Sequence, residues 1–230
     1  MNSLFEKFDN IIIFDVETTG FDPIREDIIE IAMIQVTNRN GEPIIEKEFD
    51  ALIELPPDKK IPSKITELTG ITDQQLKEQG ISKHKACEGI LDILNCDNPL
   101  LAAYNAQFDL GFLYYFLKRF DKTDILRKVK MFDILTVYRD RKPFPHKLGD
   151  AAIAYSINVE SAHRALDDVK VSHELMVKMG YENDDLANYI NLFGYNPKYG
   201  VSGQKISSIT YKQQGFDSKT KLYVSASNQK

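Results

Sequence analysis

Hydrophobic positions follow two rhythms along this chain. Near the N-terminus they come in short runs with strand character, and further on they recur at helical spacing. Residues 10–16 (Asn-Ile-Ile-Ile-Phe-Asp-Val) predict a buried strand, and residues 28–36 and 44–53 predict two more. Asn40-Gly41 lies between the last two and is a hairpin signal. Pro56, Pro57 and Pro62 mark a loop, after which helical patterns cover 63–68, 73–78 and 83–95. A short strand is expected over 100–104. The helix expected over 107–119 carries Phe108, Phe112, Phe116, Leu113 and Leu117 on one stripe. A fifth strand is expected at 129–132, and helices at 147–154, 165–178 and 183–193. Three strands joined by short turns, then strands alternating with helices, give an α/β fold with a mixed five-stranded sheet flanked by helices.

Composition changes this picture at the C-terminal end. From Gly194 onward the chain is rich in Gly, Ser, Gln and Lys, with Ile206, Ile209, Tyr211, Leu222, Tyr223 and Val224 placed to form a short strand pair. A segment this short sustains no core of its own, so it packs on the body, binds a partner or stays mobile. The expected organisation is one domain over 8–178, then a C-terminal helix and a basic polar extension over 179–230.

The net charge of −5 excludes a simple electrostatic binder of nucleic acid, but the charge is uneven. Residues 196–230 carry +5 and the rest −10. A basic tail on an acidic body suits a phosphate-attracting segment and equally suits a solvated tail. The N-terminus lacks the apolar stretch of a signal peptide, and the Ile11–Phe14 run is far too short to span a membrane. A cytoplasmic protein with no membrane partner is expected. Cys87 and Cys96 lack metal-binding spacing and read as reduced thiols.

Three short motifs carry candidate chemistry. Asp15 and Glu17 alternate with Val16 in a strand, so they share a face with Ile11 and Ile13. Two carboxylates ~4 Å apart repel by about 4 kcal/mol at an effective dielectric near 20, and a hard divalent cation relieves that cost. An acidic strand end opening a surface loop is the plain alternative. Asn105-Ala-Gln-Phe-Asp109 falls where a strand meets a helix, which leaves both capping and function open for Asn105 and Asp109. In His163-Arg-Ala-Leu-Asp-Asp168, His163 is expected just before a helix and Asp168 early within it, with Asp167 as its geometric competitor. Asp22, Glu26 and Asp27, in the loop after Gly20, read as solvated.

Taken in order, Asp-x-Glu at 15–17, Asn-Ala-x-Phe-Asp at 105–109 and His-x(4)-Asp at 163–168 resemble the DEDDh 3′–5′ exonuclease family. Ile65-Thr-Glu-Leu-Thr-Gly-Ile-Thr72 and Phe132-Asp-Ile-Leu135 echo it further. The resemblance spans residues 8–178 and is nearest to the epsilon proofreading subunit of bacterial DNA polymerase III and its free-standing relatives. It implies an RNase H-like fold and a metal-dependent phosphodiester hydrolase releasing nucleoside monophosphates from DNA 3′ ends. Asp15, Glu17, Asp109 and Asp168 would hold two Mg²⁺ or Mn²⁺ ions, with Asp15 shared. His163 would be the general base, and its ordinary pKa of ~6.5 suits the task. Thr18, Leu68, Asn105 and Phe108 match positions that grip or wedge the terminal nucleotide. Tyr104 departs from the His that many relatives carry before Asn-Ala.

Two other readings stay open: an exoribonuclease of the same family, and a proofreading module that acts mainly through a DNA polymerase partner in replication or repair. In the second, residues 195–230 would be the docking element, removable without loss of nuclease activity.

Overall fold

The computed structural model describes residues 1–159, 164–215 and 220–227. A short helix, α1 (Asn2–Phe5), leads into strands β1 (Asn10–Thr18), β2 (Ile28–Arg39) and β3 (Glu42–Leu52). Helices α2 (Ser63–Thr69), α3 (Asp73–Gln79) and α4 (Lys83–Leu94) follow. Next come β4 (Pro99–Ala103), α5 (Ala106–Lys118), a 3₁₀ turn at Thr123–Lys128, and β5 (Lys130–Asp133). The chain continues through α6 (Ile134–Arg141), α7 (Leu148–Ala154) and α8 (Ala165–Glu182). It closes with β6 (Leu192–Tyr195), β7 (Thr210–Gln213) and α9 (Leu222–Ser227).

The main sheet has the order β3-β2-β1-β4-β5. β1 is antiparallel to β2 and parallel to β4, and β4 is parallel to β5, so the sheet is mixed as expected. The β2–β3 hairpin turns on Asn40 and Gly41, whose φ angles of 56° and 92° are both in the left-handed range that a tight hairpin requires. β3 is a sheet edge, with Glu42, Glu46, Lys47, Glu48 and Asp50 exposed along it.

Alternation along β1 divides the core. Ile11 and Ile13 pack with Val169, Leu175 and Met176 of α8 on one face. Ile12, Phe14 and Val16 pack with Leu110, Leu113 and Leu117 of α5 on the other. The C-terminal ends of the parallel strands β1, β4 and β5 lie at one edge of the fold, where such sheets place their ligands. Among the described residues no helix is long and apolar enough to cross a membrane.

Three segments differ from expectation. Residues 183–193 do not form a helix: a 3₁₀ turn at Leu186–Tyr189 leads into β6. The apolar spacing of Leu186, Tyr189 and Phe193 imitates a helix, but Asn191 takes a left-handed φ of 56° and pairs with β5. Its side-chain oxygen accepts the Met131 amide, and its own amide donates to the Met131 carbonyl, both at 2.8 Å.

β6 pairs in parallel with β7, but Leu222, Tyr223 and Val224 begin helix α9 rather than a strand. Asp140 accepts the Leu222 amide at 2.6 Å and so caps that helix. Helix α6 had no counterpart in the sequence reading. Of the three possibilities for the C-terminal extension, the described residues show packing: Phe193 and Ile209 join one core, and Leu222 the other. The boundary expected at 178/179 falls inside α8.

Candidate nuclease site

The alternation of β1 delivers Asp15 and Glu17 to the α8 face, at the strand's C-terminal end. Asp168 comes from the first turn of α8. Each of the three offers a carboxylate oxygen, and these atoms lie within 4.8 Å of one another. Asp168, and not its neighbour Asp167, completes the group among the described residues.

Asp109 arrives from the opposite layer. It is buried in the first turn of α5, and its Oδ1 accepts the Val16 amide at 3.2 Å. That bond draws the start of α5 against β1. The described trio does not include Asp109, although the charges of Asp15 and Glu17 act on its carboxyl. His163 lies outside the described residues.

The charges are crowded. Burial, then Asp168 and Glu30, push the Asp15 carboxyl up to about 8. Burial, then Asp15, Asp168 and Glu30, push Glu17 up to about 9, with Arg164 opposing. Asp109 is raised well above the usual carboxylate range by burial and by Asp15, against the Val16 amide. Such crowding destabilises the fold unless something neutralises it. The donors are all hard carboxylate oxygens, a set that fits a divalent cation and does not fit a soft thiophilic metal.

Three buried carboxylates shape the site without belonging to the trio, and none was assigned a role from sequence. Glu30 stands opposite Glu17 across the β1–β2 ladder and is 1% exposed. Its Oε1 accepts from Arg164 Nε and Nη2, and its Oε2 accepts the Ala165 amide at 3.0 Å. It thereby holds the N-terminus of α8 to β2. Asp133, at the end of β5, accepts the Ala106 amide at 3.0 Å and the Thr136 amide at 3.2 Å, so one carboxylate caps both α5 and α6. Asp27 is a correction, because it is 2% exposed rather than solvated. Lys59, Lys83 and Arg119 all pair with it, at 2.6, 2.5 and 2.6 Å. Glu26 is engaged too, accepting from the Thr19 hydroxyl. Together these contacts close the loop of residues 20–27.

A buried acid with several donors is detectable in sequence only as a charge interrupting an apolar run, as Glu30 does between Ile29 and Ile31.

The other candidates surround this centre. Thr18 is buried at a bulge that shifts the β1–β2 register, and its hydroxyl donates to the Gly20 carbonyl at 2.6 Å. Asn105 is exposed with a left-handed φ of 67°, and its side chain makes no capping bond. Phe108 is half-buried, its ring 5.0 Å from that of Phe112 and 6.4 Å from that of Phe21. Leu68 is 53% exposed on α2. The Tyr104 hydroxyl donates to the His146 carbonyl at 2.9 Å.

Comparison with known proteins agrees with this architecture. The DNA polymerase III PolC-type of Latilactobacillus sakei subsp. sakei (strain 23K) is 31% identical over 192 residues, covering 83% of this chain and 12% of that protein. Its counterpart in Bacillus subtilis (strain 168) is 32% identical over 177 residues, covering 73% of this chain and 11% of that protein. This chain therefore spans only a small part of the length of these relatives.

Among solved structures, the zinc-bound E. coli ExoI–ssDNA complex superposes with a TM-score of 0.68 at 18% identity, over 79% of this chain and 42% of that one. Exonuclease I from Methylocaldum szegediense gives 0.67 at 23% identity, over 78% and 42%. These likenesses carry the RNase H-like fold. Residues 12–176 match the family model described as Exonuclease (RNase_T), and the chain belongs to that family of nucleases.

Proposed function

We propose that this chain hydrolyses phosphodiester bonds at the 3′ end of DNA, releasing nucleoside monophosphates with the help of two divalent ions, Mg²⁺ or Mn²⁺. The observation that carries the reading is the meeting of Asp15, Glu17 and Asp168, from elements far apart in the chain, within 4.8 Å. Asp15, Glu17 and Asp168 would hold the ions, with Asp109 completing the set from the α5 side. Bound there, such ions supply Lewis-acid polarisation of the scissile phosphate and favour a nucleophile at neutral pH.

The chain's own residues do the rest. His163 takes the proton of the attacking water as general base. Arg164, its neighbour, is anchored on Glu30, which sets where the segment enters α8. Asn105, at the N-cap of the helix that carries Asp109, would contact the terminal nucleotide. Phe108 and Leu68 offer apolar surfaces for the terminal base, and Thr18 shapes the loop beneath it.

The exonuclease I neighbour is described in complex with ssDNA, which favours a single-stranded or frayed 3′ end here as well. The PolC-type relatives are DNA polymerases, which favours proofreading or repair beside a polymerase as the setting.

The test is a gel of 5′-labelled DNA and RNA oligonucleotides with Mg²⁺, Mn²⁺ or EDTA. The expected result is a DNA ladder shortening from its 3′ end with either metal and silent in EDTA. Degradation of RNA alone overturns the substrate, and internal cuts or activity in EDTA overturn the mechanism.

A further inference from the structure

The outward face of α5 carries Gln107, Gly111, Tyr114, Tyr115 and Lys118, at helical spacing away from the core stripe. A groove of about 640 Å³ runs along this face. Phe21 and Pro23 of the 20–27 loop line one part of it, and residues 202–208 of the C-terminal extension line another. That second wall is fastened. Gln107 Nε2 donates to the Gln204 carbonyl at 2.7 Å, and the Tyr115 hydroxyl donates to Gln204 Oε1 at 3.1 Å. The Tyr211 hydroxyl donates to Gln107 Oε1.

The groove's chemistry is specific. Three cations line it, Lys118, Arg127 and Lys205, and no carboxylate does, in a chain whose net charge is −5. Arg127 shares its charge with Asp124 at 3.1 Å, while Lys118 lies over the Tyr115 ring at 5.5 Å. Phe21 is 87% exposed and Tyr114 41%, so two large rings offer bare faces. Phe108 belongs both to this groove and to the helical turn that carries Asp109. The groove therefore reaches a residue assigned above to the terminal base.

We propose that this groove holds the single strand upstream of the terminal nucleotide, as an accessory site added by the C-terminal extension. This rests on the nuclease reading above. Bases stack on the exposed rings, and phosphates pair with Lys118 and Lys205; a sequence-independent track is built from these two contacts.

The test separates the groove from the chemistry. The p-nitrophenyl ester of thymidine 5′-monophosphate reaches only the carboxylate site, whereas oligo(dT) of two to eight nucleotides also samples the groove. In the parent protein, KM falls as the oligonucleotide lengthens from two to about four. In the double variant Lys118→Glu/Lys205→Glu, ester hydrolysis is unchanged and KM for the octamer rises. Its salt dependence loses a slope of about 1.4, or ~0.7 for each phosphate contact removed. Tyr114→Ala weakens the octamer about fivefold or more without touching the ester.

Unchanged octamer binding in these variants, or a KM independent of length in the parent, overturns the groove while leaving the nuclease reading intact. A parent that hydrolyses neither ester nor octamer overturns the nuclease reading itself. Should the charge reversals abolish ester hydrolysis, Lys118→Ala and Lys205→Ala are measured in the same way.

Discussion

Arg164 sets two guanidinium nitrogens on a single carboxylate oxygen of Glu30, at 2.9 and 2.6 Å. The other Glu30 oxygen takes the first amide of α8. A buried acid on β2 thus decides where α8 begins, and with it where Asp168 meets Asp15 and Glu17. Glu30→Gln keeps the shape but loses the charge-assisted bonds. The expected cost is about 1–3 kcal/mol, reduced by the solvent reaching Arg164. Urea unfolding measures that cost, and a parallel fall in the rate on the nucleotide ester shows that α8 has shifted.

Asp15→Asn trades function for stability. It removes the carboxylate at the centre of the trio, so activity falls to background. It also removes the cost of burying that crowded carboxyl, which is pushed up to about 8, so the variant unfolds about 2–4 °C higher than the parent in EDTA at pH 7. Calorimetry checks the second half; a lower midpoint would mean that Asp15 is stabilising without a cation.

The register of the third motif is open to direct comparison. Asp168→Asn abolishes hydrolysis, and Asp167→Asn keeps most of it, since only Asp168 lies with Asp15 and Glu17. Matched rates for the two variants would contradict this.

Asp27 predicts a pH effect on stability. Although burial raises it, hydrogen bonds from Lys59, Lys83 and Arg119 hold its carboxyl well below the usual carboxylate range. A depressed folded-state value means that the contribution is complete above the unfolded value of 3.8 and is lost as pH falls below it. Asp27→Asn is therefore less stable than the parent at pH 7, and the gap narrows as pH drops below about 4. Urea midpoints across that range give the curve, and a constant gap would refute it.

Ending the chain after Gly194 is expected to unfold the domain rather than trim it. The cut removes β7, the partner of β6, and the buried Ile209 and Leu222. Replacing Ile209 alone by Ala costs about 2–4 kcal/mol. Circular dichroism of the truncated chain distinguishes this from the alternative reading in which the segment is a removable docking element for a polymerase.

Much of this fold was legible because its signals are local. The triple isoleucine of β1, the Asn40-Gly41 turn and the phenylalanine stripe of α5 each declare their structure within a few residues. The pairing of Asp15 with Glu17 follows from strand alternation alone. What stayed hidden depends on partners distant in sequence. Asn191 breaks a helical pattern because β5 offers it two hydrogen bonds, and Leu222 starts a helix because Asp140 receives its amide. Asp27 looked like a loop acid because none of its three cations lies near it in the chain. The site shows the same division: its acids are visible as motifs, whereas the Glu30 anchor appears only once β2 and α8 meet.

The open edge at β3 has a consequence for the molecule in a crowded solution. An unpaired strand invites another chain to extend the sheet, the first step toward aggregation. Here the ribbon exposes Glu42, Glu46, Lys47, Glu48 and Asp50, so a second copy docking there would have to strip water from a row of charged side chains. The sheet therefore resists growth at the border it leaves uncovered.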